Sequence, residues 1–139
     1  MQERPELLTP AVEEMLRYDG PAQMTSRIVV DDMDFQGHEF KKGQVVLGVI
    51  GGANHDPAQY AEPDRFNIAR NEGRNLAFGH GIHYCIGAGL AMAEAEVAIA
   101  TLLKRFPAPQ AAFESPDWGQ SFILRGLKSL PLTSEPVAV

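Results

Sequence analysis

The longest regular pattern of apolar positions predicts a helix over residues 86–106. Charged residues fall between the apolar ones, and Pro107 follows the last of them. The apolar side chains recur at spacings of three and four residues: Met92, Ala95, Ile99, Leu102 and Phe106. This spacing places them on one face of a helix, and the proline ends it.

A second helix is predicted over residues 10–18, where Val12, Met15 and Leu16 lie at helical spacing. Thr9 is a suitable N-cap residue, and proline at position 10 suits the first turn of a helix. We expect this short helix to end before the Gly20-Pro21 pair.

Short antiparallel strands are predicted within residues 25–50 and 120–133. Residues that favour strands flank the turn-prone pairs Gln36-Gly37 and Lys42-Gly43 in the first segment and Gly126 in the second. Residues 51–84 have no sustained period and predict a glycine-punctuated coil. The expected fold is mainly α, with small antiparallel β-hairpins and long irregular coil.

The composition indicates one partial domain spanning residues 1–139. With 45% hydrophobic and 22% charged residues, the 139-residue chain resembles a folded protein rather than a disordered one. Its 10 prolines and 13 glycines are many for this length, and the glycines are concentrated between residues 37 and 89. Irregular backbone leaves polar groups to satisfy, so we expect the chain to pack against a cofactor or more protein.

The charge pattern argues against nucleic acid as a partner, because the net charge is -6 and the basic residues are scattered. The first ten residues have the pattern of neither a signal peptide nor a membrane anchor. The apolar run over residues 45–50 is too short to cross a bilayer. A cytoplasmic location is therefore expected, with no membrane contact.

Cys85 is the one cysteine, so it cannot form a disulfide within the chain. It lies between a glycine-rich coil and the start of the predicted helix 86–106, where the helix dipole and free N–H groups favour a thiolate. A thiolate suits a soft metal centre. Gly79, Gly81 and Gly87 leave room for a large flat cofactor to approach the backbone.

The segment FGHGIHYCIG, residues 78–87, resembles the haem-binding loop of the cytochrome P450 family: Phe, Gly, any, Gly, any, His, any, Cys, any, Gly. The resemblance implies haem b (iron protoporphyrin IX), with Cys85 as the axial ligand of the iron. It also implies that Phe78 packs near the sulfur and that the segment after the cysteine meets the ring, through Ile86, Gly87 and Ala88.

The resemblance extends upstream of the loop. Glu14 and Arg17 match the family's Glu-x-x-Arg motif, which bonds to a residue of the coil before the loop, here Arg65 or Arg70. Residues 54–57 match a segment that usually reads Asn-Arg-Asp-Pro, with His55 in place of the arginine.

Two further positions correspond to residues that hold the haem propionates in relatives. Arg27, in the predicted strand TSRIVV, matches one of them, and His83 matches the other. Charge-assisted hydrogen bonds to buried carboxylates suit both side chains. His80 stands at a variable position of the motif, where a contact within the loop is expected.

The chain resembles the C-terminal third of the family, which implies a haem-thiolate monooxygenase when it is part of a complete enzyme. No catalytic residue is identified, because the distal oxygen-activating helix belongs to the missing part. The implied partners are a ferredoxin or flavodoxin-type redox protein on the proximal face, a small apolar organic substrate and a complementing N-terminal chain.

Three alternatives remain open. The first is a zinc-like site formed by His80, His83 and Cys85 with His55. The second is a nucleophilic or redox-sensing cysteine activated by His83. The third is a truncated, non-catalytic family member that another chain completes. A dinucleotide site is not supported, because no G-x-G-x-x-G follows a strand.

Overall fold

The computed structural model describes residues 4–106, 108–121 and 123–134. It contains helices α1 (Leu8–Asp19), α2 (Ile50–Ala53) and α3 (Ala88–Arg105). The strands are β1 (Met24–Ile28), β2 (Met33–Phe35), β3 (His38–Phe40), β4 (Val45–Val49), β5 (Gln110–Ala111) and β6 (Leu132–Thr133). Single 3-10 turns occupy Pro5–Leu7 and Gly81–His83.

Helix α1 begins at Leu8, two residues before the predicted start, and Thr9 is not its N-cap. The N-cap is Leu7, which makes no side-chain capping bond, because the turn Pro5–Leu7 leads directly into the helix. The Thr9 hydroxyl instead donates to Glu96 of α3 at 2.7 Å. The helix ends at Asp19 and is followed by Gly20, where a Cβ would collide with the Leu16 carbonyl oxygen, so only glycine fits.

The predicted strands within residues 25–50 form two nested antiparallel pairs. The outer pair is β1 with β4, in a register that places Arg27 opposite Val46. The inner pair is the hairpin β2–β3, which turns at Gln36 and Gly37, both with positive φ. The β1–β4 pair leads through α2 into the long coil.

Helix α3 begins at Ala88, two residues after the predicted start, and ends at Arg105, one residue before the predicted end. It packs against α1. The side chain of Ala88 is buried, as are Ala11 and Val12 of α1. These residues belong to the small hydrophobic core of the described chain.

Of the strands predicted within residues 120–133, the described part of the tail contains β6, at the end of that range. Strand β6 pairs with β5, which the pattern did not predict. Beside Gly126 there are two isolated bridges, Leu124 with Ala22 and Leu127 with Trp118. The two segments that flank Gly126 therefore pair with other parts of the chain and not with each other. Phe122, which the strand prediction included, lies outside the described residues.

Among the described helices, none has both the length and the apolar character needed to span a membrane.

Candidate functional site

The loop around Cys85 is a tight turn that ends at the N-terminus of α3. The Cys85 N–H donates to the Phe78 carbonyl at 2.9 Å, and the Cys85 carbonyl accepts from the Ala88 N–H at 3.2 Å. Gly79 and Gly81 have φ of 73° and 66°, which side-chain-bearing residues rarely adopt. The backbone therefore needs these glycines for its own turn, and not only to leave space for a ligand.

The sulfur of Cys85 is placed where a flat apolar group could cover it. Cys85 is exposed. A Cβ on Gly87 would lie 3.8 Å from the sulfur, so Gly87 is its immediate neighbour. Ile82 and Ile86 flank the loop with side chains that are 98% and 106% exposed. Ala88 differs from them, because it is 4% exposed and belongs to the core.

A thiolate is chemically suited to this position. The sulfur precedes the 18-residue helix α3, whose N-terminal dipole favours negative charge. The residues present therefore fit a haem that is bound through sulfur. They provide an exposed thiol, a helix N-terminus and exposed apolar side chains beside it.

A cavity of about 440 Å³ lies beside the loop. Four of the predicted site residues line it together: Arg27, Phe78, Gly79 and His83. Its other lining residues are mainly apolar or small, including Met24, Val49, Ile50 and Ala53, and His80 also reaches it. Three cationic or ionisable side chains in a largely apolar cavity suit a ligand that is apolar with acidic groups at one edge.

Arg27 and the loop aromatics are held by neighbours. The Arg27 guanidinium donates to the Thr25 hydroxyl at 2.9 Å and to the Ser26 carbonyl at 2.7 Å. The rings of Phe78 and Tyr84 meet edge to face, with centroids 6.5 Å apart. These contacts orient the groups without burying them.

Glu14 and Arg17 form a buried ion pair at the base of the site. Arg17 donates from Nε to Glu14 at 2.7 Å and from Nη2 at 3.0 Å. Glu14 also accepts from the Asn67 N–H at 2.8 Å and from Arg70 Nε at 3.2 Å. Burial opposes ionisation, but these hydrogen bonds outweigh it and hold the pKa of Glu14 below its ordinary value.

Of the two arginines considered for the coil, Arg70 is the one whose side chain reaches Glu14. Its side chain is 6% exposed and also pairs with Glu72 at 2.6 Å. The Arg65 side chain pairs instead with Glu62 at the surface, while its carbonyl accepts from Arg70 at 3.0 Å. Sequence reasoning missed Glu72, which had no distinguishing signal.

Tyr60 is a further residue that sequence reasoning missed. It is 3% exposed, and its ring lies against two guanidinium groups. The Cζ atoms of Arg17 and Arg70 are 5.3 and 5.9 Å from the ring centroid. Burial raises the pKa of the Tyr60 phenol, whose O–H donates to the Arg74 carbonyl at 3.1 Å. The position carries no motif, so only the packing identifies it.

His55, which replaces the family's usual arginine, bridges two elements. One ring nitrogen lies 2.8 Å from the Tyr18 carbonyl and the other 2.8 Å from Asp64. Neither contact is to a residue of the Cys85 loop. Among the described residues, no group of three or more His, Cys, Asp or Glu side chains is arranged to hold a metal ion. The zinc-like alternative therefore loses His55 as a ligand.

The comparison with protein families identifies this arrangement. Residues 1–123 match the family Cytochrome P450. The polyketide biosynthesis cytochrome P450 PksS of Bacillus subtilis is 41% identical over 136 residues, which are 96% of this chain and 34% of PksS. The biotin biosynthesis cytochrome P450 of the same organism is 42% identical, over 97% of this chain and 34% of its own length.

Solved structures of cytochromes P450 are similar to this chain as well. The crystal structure of P450BioI, in complex with acyl carrier protein ligated to hexadec-9Z-enoic acid, matches with a TM-score of 0.91 and 42% identity, over 96% of this chain and 35% of that one. CYP109Q5 from Chondromyces apiculatus matches with a TM-score of 0.92 and 37% identity, over 99% and 36%.

The chain thus spans about a third of the length of the curated relatives it matches. The match covers the cysteine loop, the buried ion pair and the coil between them. The expected fold class is confirmed. The chain belongs to the cytochrome P450 family.

Proposed function

We propose that this chain is the haem-anchoring part of a haem-thiolate monooxygenase and that Cys85 is the axial ligand of the haem iron. Members of the cytochrome P450 family bind haem b. The observation that carries the proposal is that the Cys85 loop and Arg27, 58 residues apart in sequence, border one cavity.

Cys85 contributes a sulfur that is held in place before binding. The Phe78 carbonyl and the first turn of α3 fix its backbone. When bound, a thiolate-ligated haem activates O2 so that one oxygen atom enters an organic substrate. With haem bound, Phe78, Gly79, Ile86 and Gly87 would surround the sulfur and limit its contact with water, whereas Ala88 supports the loop from the core.

Arg27 and His83 hold the haem propionates in this proposal. Both line the same cavity, and both can donate to a carboxylate. A propionate left without a donor in an apolar cavity would be costly. Glu14 and Arg17 have a structural role, because with Arg70 they join α1 to the coil that leads to the loop.

The partners of the complete enzyme follow from the same proposal. A ferredoxin or flavodoxin-type protein delivers electrons on the face that carries Cys85, and the substrate is a small apolar organic molecule. The apolar lining at Val49 and Ile50 supports such a substrate. We expect the protein to act in the cytoplasm, where its single thiol remains reduced.

The test is an absorption spectrum of the chain reconstituted with haem and reduced under carbon monoxide, with Cys85→Ala as the control. A strongly red-shifted Soret band that needs Cys85 is the expected result. A haem spectrum that is the same in both proteins would contradict ligation by Cys85.

A second candidate is a family fragment or subunit that binds haem only when another chain completes it. Large apolar side chains such as Ile28, Val30 and Val97 are more than 60% exposed, which favours a missing covering segment. A folded chain that takes up no haem would support this candidate over the first.

A further inference from the structure

Asn54 is a buried polar residue at the end of α2, and no part of the proposed function has yet used it. Its exposure is 2%, comparable with that of Glu14 and Arg17. A buried amide is retained only where its hydrogen bonds are made, because an unpaired one is costly. Its partners therefore indicate what it does.

Both the backbone and the side chain of Asn54 accept hydrogen bonds, from two different parts of the chain. Its carbonyl accepts from Arg17 Nη1 of α1 at 2.8 Å. Its side-chain Oδ1 accepts from the backbone N–H of Leu76 at 2.7 Å. Asn54 therefore joins the buried ion pair to the start of the Cys85 loop.

Backbone hydrogen bonds continue this connection from Leu76 to Cys85. The Leu76 carbonyl accepts from the Gly79 N–H at 2.9 Å. Two residues after Leu76, the Phe78 carbonyl accepts from the Cys85 N–H at 2.9 Å. Every step from Arg17 to Cys85 is thus a hydrogen bond of ordinary length or a short covalent segment.

We infer that Asn54 is a positioning residue, whose side chain sets the place of the Cys85 sulfur by fixing the Leu76 end of its loop. The inference rests on the proposed function for the ligand role of Cys85, while the placement of the loop itself does not. Asparagine suits this task, because its neutral amide accepts from the Leu76 N–H beside a guanidinium without adding a buried charge.

The test is amide hydrogen exchange in the haem-free full chain, for Asn54→Ala and Asn54→Asp. Asn54→Ala should speed exchange at Leu76, Gly79 and Cys85 by about tenfold, as expected for the loss of one anchoring hydrogen bond. The Asp side chain keeps the acceptor oxygen but adds a buried charge, so Asn54→Asp should restore part of the protection lost in Asn54→Ala.

The matched control is Asn67→Ala. The Asn67 side chain also accepts from a backbone N–H, that of Ala69 at 3.1 Å, but within the coil. Its loss should leave exchange in the Cys85 loop unchanged. If Asn54→Ala does not fold, Asn54→Ser replaces it, because the serine hydroxyl is too short to reach the Leu76 nitrogen.

Faster exchange confined to the loop, with partial rescue by Asp, supports the inference. Unchanged exchange in the loop, or an equal increase throughout α3, overturns it. In the haem-reconstituted chain, Asn54→Ala should also weaken the cysteine-dependent red-shifted Soret band, and Asn54→Asp should restore part of it. If the parent chain takes up no haem, the proposed function of the isolated chain fails, while hydrogen exchange still decides the role of Asn54.

Discussion

Glu14 is ionised in the interior of the molecule because several donors surround its carboxylate. Arg17, Arg70 and the Asn67 N–H all donate to it. An isolated buried carboxylate would instead take up a proton. The same donors belong to α1 and to the coil, so at the scale of single residues the charge is also what joins two distant segments.

Replacing Glu14 tests this connection between α1 and the coil. Glu14→Gln leaves the buried Arg17 guanidinium without its anion and leaves Arg70 paired with Glu72 alone, so we expect the free energy of unfolding to fall by about 3 kcal/mol. The control is Glu62→Gln, whose partner Arg65 is also three residues away but lies at the surface. Urea unfolding of both variants should show a small change for the control. Equal losses would contradict the role of burial.

The acid sensitivity of the chain follows from the same group. Because the pKa of Glu14 is lower in the folded protein, its stabilisation is complete above the ordinary value of 4.5 and is lost as the pH falls through the folded-state pKa. Stability measured by urea unfolding from about pH 7 to about pH 3 should therefore decline less steeply in Glu14→Gln than in the parent. Parallel curves would exclude Glu14 as a source of the decline.

At the scale of elements, the loop 78–87 and helix α3 contain glycines of two different kinds. Gly81 has φ of 66° in the loop, whereas Gly89 lies in the first turn of α3. A Cβ at either position would meet nothing within 4 Å. Only backbone conformation therefore distinguishes the two sites.

Alanine substitutions should thus have opposite effects. Gly81→Ala is expected to cost about 1–2 kcal/mol, because an L-residue is strained at positive φ. Gly89→Ala is expected to stabilise by up to about 1 kcal/mol, because alanine favours a helix. Thermal unfolding of the two haem-free variants measures both changes. A stabilising Gly81→Ala would show that the loop turns differently.

The tail is attached to α1 through Arg125. Its guanidinium lies 3.6 Å above the ring of Trp118 and pairs with Asp19 at 2.7 Å.

Arg125→Ala should lower the free energy of unfolding by about 1 kcal/mol, since both contacts are partly exposed. Trp118 is the single tryptophan, so its emission should shift as well. Lys128→Ala, which removes only the exposed pair with Asp117, should shift it less; an equal shift would contradict the stacking role.

At the scale of the whole molecule, the described part buries few large side chains. The buried hydrophobic residues are Ala11, Val12, Val29, Tyr60 and Ala88. A core of this size leaves a chain that depends on what binds to it. Ligand binding should therefore have a large effect on stability.

Haem titration tests this dependence. Haem is expected to raise the unfolding temperature of the chain, and Arg27→Leu or His83→Leu should each weaken haem affinity by about tenfold, because each removes a charge-assisted bond to a propionate. His80→Leu is the control within the same loop and cavity, with a smaller loss expected. If His80→Leu costs as much as His83→Leu, the propionate role of His83 fails.

The sequence alone was sufficient for features carried by contiguous residues. The Cys85 motif lies within ten consecutive positions, and the periods of α1 and α3 are local, so each could be recognised without knowing what surrounds it. The family assignment rested on these segments and is confirmed. The ends of both helices were displaced by one or two residues, because caps depend on neighbouring turns.

The tertiary structure decided every feature that joins distant segments. It selected Arg70 over Arg65, placed Asn54 between Arg17 and Leu76, and paired β5 with β6 instead of two strands around Gly126. In sequence these candidates look alike, because a buried donor or a strand edge has no local signature. Packing brings one of them within hydrogen-bonding distance and leaves the other in solvent, and that choice depends on the positions of all the elements together.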